Sequence, residues 1–110
     1  MIVSEKNISD ALAYLAIDPH PLALARKHVV DAENNCKAIF AELFISSGAG
    51  SVAAREAEAT CHETYIDAKE NEAESILDLE RHKARARAAE MLIEVWRSEN
   101  ANVRAAERVR

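Results

Sequence analysis

A chain of 110 residues, 49% hydrophobic and 30% charged, has room for one domain and a modest core. Two glycines and two prolines, against average usages of about 7% and 5%, exclude a sheet protein built on many turns. A net charge of −5 weighs against a chain that is basic throughout and coats nucleic acid.

The apolar share is dominated by alanine, with two Phe, two Tyr and one Trp, so the core must be thin, close-packed and helical. The expected fold is all-α: a helical hairpin or bundle over residues 1–110, with one long C-terminal helix and coiled-coil-like packing. No apolar run approaches the roughly 20 residues needed to span a bilayer, and no membrane partner is expected. The first ten residues are polar and charged and do not resemble a signal peptide; with only Cys36 and Cys61, on different expected helices, a reduced cytoplasm is implied.

In chain order, a short helix is expected over about 5–17, with Ser4 or Ser9 as N-cap and Leu12, Leu15 and Ala16 on one face. Asp18-Pro19-His20-Pro21 stops it, and Pro21 suits the first turn of the next helix, about 21–47. That helix carries a seam in steps of three and four: Leu22, Ala25, Val29, Ala32, Cys36, Ile39 and Leu43, widened by Phe40 and Phe44. Gly48 or Gly50 is expected to end it as a left-handed C′ residue. Ser51 caps a third helix of about 51–60, and Thr60 with Glu63 has capping-box spacing for a break before the long fourth helix, about 63–105. Ser51 to Arg110 contains neither glycine nor proline. Along the fourth helix one track holds Tyr65, Ala68, Glu72, Ser75, Leu79, His82, Ala86, Ala89, Ile93, Trp96, Asn100 and Val103. A second holds Ala73, Leu77, Ala84, Ala88, Met91 and Val95, and together they are expected to form one broad apolar face.

Charge changes sign along this helix. Residues 1–80 hold 15 acidic and 6 basic side chains, and residues 81–110 hold 4 acidic and 8 basic ones. Three readings follow: a solvated surface of weak local pairs, an antiparallel oligomer in which acidic and basic halves face each other, and a nucleic-acid surface. The basic candidates are Arg81, Lys83, Arg85, Arg87, Trp96, Arg97, Asn100, Arg104 and Arg108, with arginines for phosphate and Trp96 for stacking on a base. Arg97, Arg104 and Arg108 share one helix face. The acidic candidates are Glu63, Asp67, Glu70, Glu72, Glu74 and Asp78, a surface able to imitate nucleic acid and to occupy a basic groove on a host enzyme.

Enzyme chemistry has little foothold. Cys61-His62 lacks the spacing of a zinc pair, and no nucleophile elbow, P-loop or dinucleotide fingerprint occurs. No catalytic residue, metal or other cofactor is implied.

The stretches Ser4 to Leu15 (SEKNISDALAYL), Ser51 to Ala59 (SVAAREAEA) and Ala89 to Arg104 (AEMLIEVWRSENANVR) resemble a group of small helical proteins from the early, recombination and replication regions of tailed bacteriophages. The resemblance implies a phage origin, the host bacterial cytoplasm, and a role in binding single-stranded DNA or a recombination protein. It supplies no activity.

Overall fold

The computed structural model describes residues 3–109. Among these are four α-helices and no strand: α1 Glu5–Leu15, α2 Pro21–Ser46, α3 Val52–Cys61 and α4 Glu63–Val109. The all-α fold with a long final helix is therefore as the composition requires.

Caps explain most of the boundaries. Ser4, in extended conformation, accepts the Asn7 N–H on its hydroxyl at 3.1 Å, and Ser51 does the same for Ala54 at 3.1 Å. Two histidines act similarly. His20 Nδ1 accepts the Leu22 N–H at 3.1 Å at the start of α2, and His62 Nδ1 accepts the Thr64 N–H at 3.1 Å at the start of α4. Each uses an unprotonated ring nitrogen as acceptor.

The break between α3 and α4 thus lies at His62, with φ −69° and ψ 136°. The expected Thr60–Glu63 capping box does not form, because Thr60 remains inside α3 and donates its hydroxyl to the Glu56 carbonyl at 2.7 Å. A second correction concerns the end of α2, where neither Gly48 nor Gly50 has a positive φ. Side chains close that turn instead. Ser47, buried, donates to Glu58 Oε2 at 2.6 Å and accepts the Ala49 N–H at 3.2 Å, while Arg55 Nε donates to the Ala49 carbonyl at 3.1 Å. The guanidinium of Arg55 also lies 5.9 Å from the Phe44 ring centroid.

Packing groups the chain into two compact units, one made of the segments ending at Leu22 and beginning at Arg81, the other Ala23–Glu80. In the first, Ala11 and Tyr14 of α1 meet Ala86 and Ala89 of α4, with Leu15, Leu22 and Ile93 packed around them. The inward face of α1 is Ile8, Ala11, Tyr14 and Leu15, whereas Leu12 (53% exposed) and Ala16 point outward. The expected Leu12-Leu15-Ala16 face loses because Tyr14 offers more apolar area and draws its own side of the helix inward.

In the second unit α2 runs antiparallel to the first part of α4. Phe40 meets Tyr65 edge to face at 5.6 Å, and Cys36, one turn earlier on α2, meets Glu72 further along α4. Ala25, Ala32, Cys36 and Ala68 are buried, and Val29, Ile39, Phe40, Leu43 and Phe44 half-buried, so every position of the α2 seam turns inward. Alanines at the contacts allow close helix approach.

On α4 the first track is the packed one: Tyr65 through Asn100 is buried or half-buried at all eleven positions, and Val103 alone is exposed. The second track is exposed at all six. At about 100° per residue the two tracks lie on opposite sides of the helix, so the single broad face expected from sequence is in fact two separate faces.

Candidate functional site

The basic candidates do not converge. Arg81 and Arg85 project from one side of α4 and Lys83 and Arg87 from another, while Arg97, Arg104 and Arg108 share a third. All seven are exposed. Arg85 is occupied, its guanidinium lying 4.2 Å over the centroid of the Tyr14 ring, and His20 packs edge-on against the same ring at 4.8 Å. Arg97 pairs with Glu94 at 3.2 Å, and Arg104 Nε donates to the Asn100 carbonyl at 3.4 Å. Trp96 and Asn100 are half-buried. Arg110, counted in the basic block, lies outside the described residues.

The acidic candidates are more orderly than a scatter around the helix. Glu63, Asp67, Glu70, Glu74 and Asp78 follow steps of four, three, four and four, so they form one exposed edge. Glu72 is set apart on the inward track. It pairs with Lys69 at 3.2 Å and borders a groove of about 540 Å³ with Glu33, Cys36, Lys37, Phe40 and Tyr65.

Three titrating groups in that groove perturb one another. A hydrogen bond from the Cys36 thiol, then one from Lys69, holds the Glu72 carboxyl below its ordinary range. Burial, followed by the bond to Glu72, pushes the Cys36 thiol up. Lys69 is raised by its bond to Glu72. A raised thiol is a poor thiolate source, so the groove is set up for a quiet cysteine and not for a nucleophile. Both cysteines are free, Cys36 buried and Cys61 exposed. Titration with Ellman's reagent at neutral pH should therefore modify Cys61 alone in the native protein and Cys36 only after denaturation; fast modification of both would contradict this arrangement.

Tyr14 Oη and His20 Nε2 are buried without a hydrogen-bond partner among the described residues. Sequence reasoning missed this Tyr14–His20–Arg85 cluster, because the three residues are brought together by the packing of α1 on α4 and share no motif. Among the described residues no group of three or more His, Cys, Asp or Glu side chains is placed as metal ligands would be, and no helix is long and apolar enough to cross a membrane.

These features define an all-α protein with coiled-coil-like packing, whose distinctive surfaces are an exposed acidic edge and an exposed apolar track on one long helix. No family model matches the chain, and no curated protein or solved structure is similar to it.

Proposed function

We propose that this is a non-enzymatic accessory protein of a tailed bacteriophage, oligomeric, which binds single-stranded DNA at the C-terminal end of α4. The observation that carries the reading is the Arg97–Arg104–Arg108 face with half-buried Trp96 and Asn100 alongside. Guanidinium groups on one helix face match successive phosphates, an aromatic ring offers a stacking plane for a base, and the asparagine amide supplies further donors. The Arg97–Glu94 pair does not oppose this. Its side chains are 68% and 70% exposed, and a pair so open to water yields readily to a phosphate. The resemblance to phage early-region proteins supports the same partner class.

Fluorescence anisotropy with a labelled oligothymidylate is the test. Binding is expected at low salt, with log K falling against log salt by about 0.7 for each phosphate contacted. Arg97→Glu with Arg104→Glu should weaken it at least tenfold. No binding at low salt, or undiminished binding by the double variant, would sink the reading.

A further inference from the structure

The groove between α2 and α4 is ordered along its length. It lies wholly within the second compact unit. Into it α2 sends Glu33, Lys37 and Phe40, at intervals of four and three, so these side chains leave one helix face on successive turns. Running the other way, α4 sends Glu72, Lys69 and Tyr65 at intervals of three and four. Two contacts fix the register: Phe40 meets Tyr65 at 5.6 Å, and the Cys36 thiol bonds to Glu72. Each wall therefore presents a carboxylate at one end, an ammonium in the middle and an aromatic ring at the other end. The three levels span about 10 Å at 1.5 Å per residue. A seam selected only to hold α2 against α4 would set acid opposite base, whereas this register places ammonium with ammonium and carboxylate with carboxylate.

We propose that this groove binds a free aromatic amino acid in its zwitterionic form. The half-buried rings of Phe40 and Tyr65 give the ligand's ring an apolar wall. Its carboxylate goes to the ammonium level. There Lys37 forms no ion pair among the described residues, and Lys69 places one of its three N–H donors on Glu72 at 3.2 Å and keeps the others. Its ammonium goes to Glu33, exposed and likewise without an ion pair among the described residues. Glu33 and Lys37 stand one helical turn apart, about 5–6 Å between Cβ atoms, so their long side chains close together on two charges carried by one ligand carbon.

Charge narrows the ligand class further. Two carboxylates and two ammoniums leave the groove neutral, which matches a zwitterion, while Glu33 and Glu72 repel a phosphate-bearing ligand. A volume of about 540 Å³ admits an amino acid with a ring. The groove draws only on α2 and the first part of α4, so this proposal stands apart from the DNA reading of Arg97, Arg104 and Arg108.

NMR titration of the full chain with L-phenylalanine is the test. Saturable shifts are expected at millimolar ligand, confined to the amides of residues 33–40 and 65–72. Phenethylamine lacks the carboxylate, phenylpropionate the ammonium and L-alanine the ring, and each should bind about tenfold more weakly or worse. Glu33→Gln and Lys37→Gln, both at exposed positions, should weaken L-phenylalanine to a similar degree with helical circular dichroism unchanged. The absence of saturable shifts, shifts centred outside the two segments, or equal binding of phenethylamine or phenylpropionate overturns the proposal. Because the analogue series needs no variant, a variant that fails to fold leaves the outcome decided. Oligonucleotide binding should be the same with and without L-phenylalanine, so the two readings fail separately.

Discussion

Tyr14→Ala is expected to lower the free energy of unfolding by about 3–5 kcal/mol, the range for removing a buried aromatic ring, whereas Tyr14→Phe should change it by less than about 1 kcal/mol. Tyr14 is 7% exposed and is the largest side chain in a cluster otherwise centred on Ala11, Ala86 and Ala89. The three alanines beside it cannot fill the space it would leave. An alanine has no rotamer with which to collapse into a cavity, so most of the void persists and its lining loses dispersion contacts. The ring also holds Arg85 at 4.2 Å and His20 at 4.8 Å, and both lose their platform in the alanine variant. The hydroxyl has no partner among the described residues, so deleting it forfeits no hydrogen bond with them. Urea denaturation of the three proteins checks this, and a Phe variant as unstable as the Ala variant would show that the hydroxyl, not the ring, holds the unit together.

Ala59→Leu is expected to destabilise by about 1–3 kcal/mol, although it adds apolar surface. Ala59 is 1% exposed, the lowest value among the buried apolar residues. It borders the α2–α3 corner with Leu43, Ser46, Ser47, Glu58 and His62. That corner is closed by the 2.6 Å bond from Ser47 to Glu58, which tolerates little separation of the two helices. A leucine forces them apart and stretches the bond, so overpacking and a lost charge-assisted hydrogen bond act together. A gain in stability on urea titration would show that the corner has slack.

Acid should loosen the other side of the same unit. Glu72 is held below the ordinary carboxylate range, so its contribution to stability is full at neutral pH and disappears as pH falls through its lowered value. The Lys69 contribution has the opposite sense, present at neutral pH and lost as pH rises through its raised value.

The helices, their order and the α2 seam were legible before any coordinate, since each rests on neighbours in the chain. Ser4 and Ser51 cap the first residues after them, Pro21 opens a helix wherever it falls, and Leu22 to Leu43 repeat at helical spacing. The two apolar tracks of α4 were legible for the same reason, but not that they lie on opposite sides of the helix. What escaped was set by groups distant in sequence. Gly48 and Gly50 offered the standard termination, but a hydrogen bond across eleven residues, from Ser47 to Glu58, closes the turn without a left-handed residue. His62 displaced Thr60 as the cap because its imidazole reaches the Thr64 N–H once the backbone turns extended there. The basic candidates were grouped by adjacency in the chain, and the helix distributes them over three sides.

Sequence alone determined that the chain is helical, where its helices begin, and that the sign of its charge reverses at Glu80–Arg81, because these are local properties of a chain almost free of glycine and proline. Only the tertiary structure decided which of two apolar tracks on α4 is covered. Both tracks satisfy helical periodicity equally well. The choice between them is made by the area that α1 and α2 can bury, and it leaves the second track of α4 turned outward.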